Sequence, residues 1–219
     1  MSRPVTFLVV DDHPVFRQGV VALIQSDERY RVCAEAGSVE EAMATLEQGV
    51  PDIALVDISL TGQSGLDLVH RLKAAAPRVL ILIISMHDEA VYASRALKAG
   101  ARGYVMKQEA ASVMLEAIST VLAGRIYVSA TMRDRLLETM FSDAAENQVP
   151  TVERLSDREL EVLEKIGQGY GAAEIAKTLN LSVKTVNAYR DHIKEKLRIE
   201  GAGDLRRFAV KWVQSRDQS

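Results

Sequence analysis

The sequence predicts an α/β domain built on a doubly wound, five-stranded parallel sheet, followed by a small all-α domain of four helices. Short apolar runs alternate with amphipathic stretches over residues 1–122, whereas residues 154–219 show helical patterns and no strand pattern. A polar stretch that includes Pro150 separates the two regions. Because 219 residues exceed the usual size of one domain, two small domains are expected.

Five apolar runs predict the strands of the first region. They occupy residues 5–10, 30–36, 52–58, 79–85 and 103–107. The run VLILIIS at 79–85 is apolar on both faces, which is typical of a strand covered by helices on both sides. We therefore expect a central parallel sheet with a helical layer on each face.

Five helices are predicted between and after these strands, because apolar positions recur three and four residues apart. They occupy residues 15–26, 38–48, 65–76, 88–100 and 109–124. Ser38 and Glu41 form a capping-box pattern at the start of the second helix, and Gly100 marks the end of the fourth. Strict alternation of strands and helices favours right-handed crossovers, as a parallel sheet requires.

The remaining patterns divide the chain into domains. One helix is predicted around residues 130–141, and the polar stretch at 142–153 is interpreted as the connection between domains. Four helices follow, at residues 157–169, 172–179, 183–197 and 202–215. The predicted boundaries are 1–124 for the first domain, 125–153 for a linker with one helical segment, and 154–219 for the second domain.

Composition limits the classes of function. Hydrophobic residues make up 47% of the chain and charged residues 26%, a globular composition that excludes a disordered or fibrous protein. The chain has no run of about 18 apolar residues and no secretion signal, so we expect a cytoplasmic protein without membrane contact. The single Cys33 cannot form an intramolecular disulfide and is expected in the core.

The net charge of −3 hides an uneven distribution. Residues 1–150 carry 14 basic and 19 acidic side chains, whereas residues 151–219 carry 13 basic and 11 acidic ones. Within residues 182–198, five lysines and arginines stand against two acids. This local positive charge predicts a polyanion as a partner.

Polar side chains stand at the carboxyl ends of four predicted strands. Asp11 and Asp12 follow the first strand, and the ends of the third, fourth and fifth strands hold Asp57, Ser85 and Lys107. In a parallel sheet these ends share one edge, where ligands bind. Three carboxylates together need a counter-charge, which a divalent cation or Lys107 can supply, and oxygen-only ligands favour Mg²⁺.

This combination of groups suits phosphoryl transfer. Asp57 is expected to act as the nucleophile and form an acyl phosphate, while Mg²⁺, Ser85 and Lys107 stabilise charge on the phosphoryl oxygens. Taken singly, each acid could equally be a strand-end side chain or a helix cap, since short acids favour such positions. Only the combination favours a phosphoryl-transfer site.

Four segments around these residues, VVDDHPVFRQGV, LVDISLTGQSGLDL, IISMHDEA and GARGYVMK, resemble the receiver domain of response regulators. The resemblance covers residues 4–122 and implies a flavodoxin-like (CheY-like) fold. It implies that a sensor histidine kinase phosphorylates Asp57, and that Asp11 and Asp12 help Asp57 to bind Mg²⁺.

The same resemblance implies a conformational switch. Ser85, Tyr104 and Lys107 would couple the phosphoryl group to the surface, as the hydroxyl of Ser85 moves toward it and the aromatic ring turns inward. Thr61 departs from the family pattern, which usually has Pro there, and predicts a more mobile loop. Two positions at which the family tunes water access to the phosphoryl group hold Ser59 and His87.

The second domain contains a helix-turn-helix pattern. A short helix at 172–179 and a tight turn lead to a longer helix at 183–197, which Ser182 can cap. Apolar positions predicted to face inward are Ile175, Ala176 and Leu179 on the first helix and Val183, Val186, Ile193 and Leu197 on the second. Residues predicted to contact bases or phosphates of double-stranded DNA are Lys184, Thr185, Asn187, Ala188, Arg190 and Lys194.

The stretch from LSDRELEVLEK to DHIKEKL resembles the LuxR-type DNA-binding domain, and the whole chain resembles the NarL/FixJ-type response regulators. This resemblance implies a transcription regulator that dimerises on phosphorylation. Tyr189 replaces a common His, and GAGDL replaces a more polar start of the last helix, on which Phe208 and Trp212 are expected to pack in the core. The acidic segment DRELEVLEK is expected to be solvated or to contact RNA polymerase.

Other functions fit the residues less well. An Mg²⁺-dependent phosphatase would also use Asp57 as its nucleophile, but it needs a substrate cap and a second acid, for which the chain has no insertion. A Rossmann-type nucleotide site needs a G-x-G-x-x-G motif after the first strand, where acids stand instead. A receiver that works only as a phosphorylation-independent platform stays open, as does a basic helix that is merely solvated or docks a protein.

Overall fold

The computed structural model of the chain describes residues 3–141 and 152–216. These residues fall into two compact units, Met1–Ser142 and Asp143–Ser219. The predicted connection at 142–153 lies outside the described residues, apart from the start of a short 3-10 turn at Val152–Arg154. None of the described helices has the length and apolar content to cross a membrane.

A five-stranded parallel sheet forms the centre of the first unit. Its strands are β1 (Val5–Val10), β2 (Tyr30–Ala36), β3 (Ile53–Val56), β4 (Leu80–Ser85) and β5 (Gly103–Met106). They lie in the order β2-β1-β3-β4-β5, which is the doubly wound order of flavodoxin-like folds. The predicted fold class is therefore confirmed.

Strand register places the predicted functional positions side by side. Val10 of β1 pairs with Val56 of β3, and Val56 pairs in turn with Ile83 of β4. Ile83 pairs with Tyr104 of β5. The residues that follow these pairs emerge together at the carboxyl edge of the sheet.

Helices cover the sheet as the alternating pattern predicts. In the described part of this unit they are α1 (Pro14–Gln25), α2 (Val39–Thr45), α3 (Gly65–Ala75), α4 (Glu89–Ala99), α5 (Ala111–Leu122) and α6 (Ala130–Phe141). The Ser38 hydroxyl accepts a hydrogen bond from the Glu41 amide at the start of α2, and Gly100 ends α4 with a φ of 114°. Both signals were legible in the sequence.

The segment that leads into α6 packs against the first unit. The Tyr104 amide donates to the carbonyl of Tyr127, and the Tyr127 amide donates to the carbonyl of Arg102, each at 3.0 Å. Val128 and Met132 are buried. Tyr127 thus forms an isolated parallel bridge with Gly103 at the outer side of β5.

The core follows the apolar strands, with one correction. Residues of β1 and β3 such as Phe7 and Leu55 are buried on both faces of the sheet. Cys33 is exposed, so its predicted place in the core was wrong. The physical reason is that β2 is an edge strand, where burial alternates along the chain, and the apolar pattern alone did not distinguish an edge from the centre.

Four helices make up the described part of the second unit, namely α7 (Asp157–Gly167), α8 (Ala172–Thr178), α9 (Val183–Leu197) and α10 (Ala202–Arg216). Helix α7 begins with a capping box in which Ser156 and Glu159 bond each other's backbone amides. Buried apolar residues from all four helices form the core, among them Leu160, Leu163, Ile175, Val186, Ile193, Leu205 and Ala209.

Three expectations for this unit require correction. Val183 is 45% exposed, because the first turn of α9 projects beyond the core that covers Val186. Phe208 and Trp212 are only partly buried, since they flank the buried stripe of α10. Glu159 is buried rather than solvated, because Lys196 donates to its carboxylate at 2.6 Å.

Candidate functional site

A buried ion cluster lies at the carboxyl edge of the sheet. The Lys107 ammonium, whose side chain is 5% exposed, lies 2.6 Å from a carboxylate oxygen of Asp11 and 2.7 Å from one of Asp57. Asp11 follows β1, Asp57 follows β3 and Lys107 follows β5, so strand register alone brings them together. One ammonium therefore serves two carboxylates that would otherwise repel each other.

Burial dominates the electrostatics of Asp57. Loss of solvent raises the pKa of the Asp57 carboxyl, and the nearby Asp11 charge raises it further. The charge and hydrogen bond of Lys107 and the Ser59 amide act in the opposite direction without fully offsetting burial. The carboxylate at position 57 is thus held in a site that makes its negative charge costly, as is common at functional sites.

The loop after β3 is shaped by the absence of a side chain at Gly65. A Cβ atom there would lie 1.8 Å from the Asp57 carbonyl oxygen, so only glycine lets α3 start this close to the strand end. The Gly65 amide donates to the Ile58 carbonyl at 2.7 Å, which closes the loop. The backbone of Asp57 is thereby held between β3 and the first turn of α3.

A cluster of potential metal ligands lies beside Asp57. One ligand atom from each of Asp11, Asp12, His13 and Asp57 lies within 4.8 Å of the others. The three carboxylates are hard oxygen donors, which fits Mg²⁺. Thr61 donates a hydrogen bond to Asp12 at 2.9 Å, and the His13 ring lies 2.8 Å from the other Asp12 oxygen. The chemistry of this donor set is compatible with a divalent cation.

Ser85 and Tyr104 form a connected path on the other side of the pocket. Ser85 is fully buried, and its hydroxyl accepts a hydrogen bond from the His87 amide at 3.2 Å. The Tyr104 ring is 1% exposed, and its hydroxyl donates to the His87 carbonyl at 2.8 Å. Burial raises the pKa of the Tyr104 phenol well above its usual range, so the hydroxyl stays a donor. The ring occupies the inward position.

Sequence reasoning missed one contact across the mouth of the pocket. The Ser59 hydroxyl and the His87 ring nitrogen are 2.7 Å apart, which links the loop after β3 to the loop after β4. Both residues were singled out for water access, but the spacing along the chain gave no sign that they touch. All the predicted pocket residues, including Asp12, Ser85 and Tyr104, do lie around this edge of the sheet.

The helix-turn-helix of the second unit presents helix α9 to solvent. Ser182 caps it by accepting from the Thr185 amide at 3.0 Å. Of the predicted DNA contacts, Lys184, Asn187 and Ala188 are exposed, whereas Thr185, Arg190 and Lys194 are half-buried at the sides of the helix. The ammonium of Lys194 lies 2.9 Å from the carboxylate of Asp191, an exposed residue of the same surface.

The corrected position of Val183 enlarges this surface. Its side chain stands at the start of α9, one turn before Asn187, where the second helix of such motifs enters the major groove. An exposed aliphatic group can contact a thymine methyl. No signal of this exposure was available in the sequence, because a position three residues before the buried Val186 lies close to the same face of the helix.

Comparison with known proteins assigns both units. The family model described as response regulator receiver domain matches residues 7–119, and the one described as bacterial regulatory proteins, luxR family, matches residues 153–209. The chain is 35% identical to the oxygen regulatory protein NreC of Staphylococcus aureus over 208 residues, which is 93% of this chain and 96% of that protein.

Solved structures agree with this assignment. A two-component response regulator of the LuxR family from Aurantimonas sp. SI85-9A1 is 32% identical, with a TM-score of 0.59 over 64% of this chain and 99% of its own. RcsB from Salmonella enterica serovar Typhimurium, bound to a promoter in the presence of a phosphomimetic, is 25% identical. It has a TM-score of 0.58 and covers 95% of this chain and 100% of its own.

Proposed function

Because the chain belongs to the response regulators that join a receiver domain to a LuxR-type DNA-binding domain, we propose that phosphorylation of Asp57 controls its binding to DNA. Membership of this family makes it a transcription regulator rather than a metabolic enzyme. Its receiver implies a kinase as partner, which we propose to be a sensor histidine kinase.

One observation carries this proposal, namely the position of Asp57. Its carboxylate is 2% exposed in total, lies 2.7 Å from the Lys107 ammonium, and follows the central strand β3. A nucleophile held in this way keeps its orientation, and the ammonium can stabilise charge on an incoming phosphoryl group. The phosphoryl group would bring about −1.5 to −2 charges next to Lys107 and Ser85.

A divalent cation is part of the proposal. Asp11, Asp12 and Asp57 would hold Mg²⁺, which when bound neutralises charge on phosphoryl oxygens. The protein's own residues do the rest: Lys107 neutralises the carboxylates, Ser85 offers a hydroxyl, and the Tyr104 ring fills the space behind it. A change at Ser85 would reach the surface through the Tyr104 hydroxyl and the loop at His87.

The output would be binding to double-stranded DNA through α9. We propose that phosphorylation promotes a homodimer, which places two copies of α9 about 34 Å apart on the DNA. Asn187 and Ala188 would face the bases, while the exposed Lys184 and the half-buried Arg190 and Lys194 would contact phosphates. We also propose a cytoplasmic location and RNA polymerase as a further partner. The promoter-bound structure of RcsB supports the DNA-binding part of this proposal.

The test is the intact mass of the full chain after incubation with acetyl phosphate and Mg²⁺, or with phosphoramidate and Mg²⁺. One phosphoryl adduct is expected on the wild-type chain and none on Asp57→Asn. The matched control is Asp67→Asn, which removes an exposed carboxylate from the first turn of α3 and should keep the adduct. Native mass and binding to a DNA pool, measured on the same samples, report dimerisation and output.

Two results would contradict the proposal. An adduct of equal amount on wild type and Asp57→Asn would place the phosphoryl group elsewhere. A wild-type chain that is folded, yet takes no phosphoryl group from either donor or from a panel of histidine kinases, would leave a regulator that works without phosphorylation.

A further inference from the structure

Helix α9 turns one row of side chains directly away from the core. Val186, Ile193 and Leu197 are buried, so the opposite row runs through Lys184, Ala188, Asp191 and Glu195, with Asn187 at its side. The steps along this row are three, four and seven residues. The three-helix DNA-binding domains related to the helix-turn-helix read bases with the same spacing, because these positions share one helix face.

Asp191 is the unexpected member of this row. Its side chain is 70% exposed, and α9 carries no acidic residue before it. A carboxylate that approaches a polyanion is repelled by phosphates unless a base edge or a cation compensates it. The Lys194 ammonium, 2.9 Å away, supplies part of that compensation, and its hydrogen bond lowers the pKa of the Asp191 carboxyl, so the group stays ionised.

Resting on the proposed binding to DNA, we propose that Asp191 is a specificity-determining residue that selects a cytosine in the major groove. An ionised carboxylate only accepts hydrogen bonds, and the cytosine edge offers an N4 amino donor. The guanine edge presents two acceptors, which repel the carboxylate, and adenine places the N7 acceptor beside its amino group. Lys194 positions the carboxylate by holding it from the next turn of α9.

The test selects sequences from a pool of duplex DNA with a randomised centre, using the full chain with and without acetyl phosphate and Mg²⁺. The variants are Asp191→Ala and Asp191→Asn. The matched control is Glu195→Gln, which removes an exposed carboxylate one turn further along the same helix, away from its N-terminal reading end. Affinities are then measured for the selected duplex and for single-base variants of it.

The expected result is one cytosine in each half-site that the wild type prefers about 5- to 100-fold over other bases. Asp191→Ala should lose this preference and keep the other positions, and Asp191→Asn should shift it toward adenine, which an amide bonds in bidentate fashion. Glu195→Gln should keep the cytosine and gain affinity for all sequences alike.

Different failures identify different errors. If Asp191→Ala and Glu195→Gln both select the wild-type sequence and merely bind all DNA more tightly, Asp191 does not contact a base. The inference about Asp191 is then wrong, while the proposed binding to DNA stands. If the wild-type chain selects no common sequence in either condition, the proposed sequence-specific binding fails, and the inference fails with it.

Discussion

The pocket residues of the first unit are buried and bonded to one another, whereas the reading residues of α9 face solvent and depend on a single helix. Asp11, Asp57 and Lys107 come from three separate strand ends, and the two carboxylates share the ammonium of Lys107. Lys184, Asn187 and Ala188 lie within two turns and are exposed. A substitution in the pocket is therefore expected to change both phosphoryl transfer and the free energy of unfolding. On α9, DNA affinity can be changed without changing the free energy of unfolding.

The largest effect is expected from Lys107→Met, which leaves two buried carboxylates without their cation. Removing one partner of a buried ion cluster costs about 3–5 kcal/mol of unfolding free energy. The measurement is calorimetry of the full chain, with fluorescence of Trp212, the single tryptophan, as reporter of the second unit. Added Mg²⁺ should restore part of the loss, and the exposed Lys98→Met should cost almost nothing. Equal midpoints for both variants would contradict the shared-ammonium interpretation.

Gly65→Ala should be the next largest in effect. The added Cβ atom meets the Asp57 carbonyl oxygen at 1.8 Å, so the strand end and α3 must separate, at a cost of about 3 kcal/mol. Yield of the phosphoryl adduct should fall with stability. Gly19→Ala is the control, since its Cβ atom meets nothing within 4 Å inside α1 and should be neutral or slightly stabilising. If the two variants unfold alike, the close approach at position 65 is not needed.

A smaller effect of opposite sign is expected from Asp57→Asn, which should raise the stability of the first unit by on the order of 1 kcal/mol at neutral pH. Burial raises the pKa of Asp57 in the folded chain. Such a group favours folding below its unfolded pKa and loses that contribution as the pH rises through the folded pKa. The advantage of the variant should thus shrink as the pH is lowered from neutral toward the ordinary aspartate pKa of 3.8 in urea titrations. A constant difference would point to a cause other than ionisation.

The smallest effect on stability is expected on the reading helix. Lys184→Ala removes an exposed cation from the first turn of α9, so unfolding should be unchanged. Affinity for DNA should fall about threefold, and the slope of log affinity against log salt should decrease by about 1 if the ammonium contacts a phosphate. Lys98→Ala, on α4 of the other unit, is the control for total charge. A loss of stability in Lys184→Ala would show that the two properties are not separable here.

The sequence predicts the residues at the strand ends of the pocket, but not the contacts between its loops. Strand ends are legible from apolar runs, and a parallel sheet brings them to one edge, so Asp11, Asp57 and Lys107 could be placed together before any coordinates. The contact between Ser59 and His87 could not, because it joins two loops whose paths depend on packing. The hydrogen bond from the Thr61 hydroxyl to Asp12 was not predicted either, since Thr61 was expected only to make its loop more mobile.

Helical periodicity predicts which residues of a helix are buried, but it is less reliable at the end of a helix. It placed Val186, Ile193 and Leu197 in the core correctly, and it misplaced Val183, whose side chain is 45% exposed because none of the described helices covers that side of the first turn of α9. Cys33 failed for a related reason, since an apolar strand pattern does not reveal which strand will lie at the edge. In both cases the missing information is what packs alongside, which local sequence does not contain.

The buried ring of Tyr104 has a consequence for how strongly the regulator responds. Turning it out to solvent would forfeit its burial, worth about 2 kcal/mol, together with the hydrogen bond to the His87 carbonyl. The contribution of burial alone corresponds to a population ratio of about 30 in favour of the inward ring. If the inward ring belongs to the DNA-binding state, the protein would bind DNA to some extent without phosphorylation. Phosphorylation of Asp57 would then adjust the level of DNA binding by degrees.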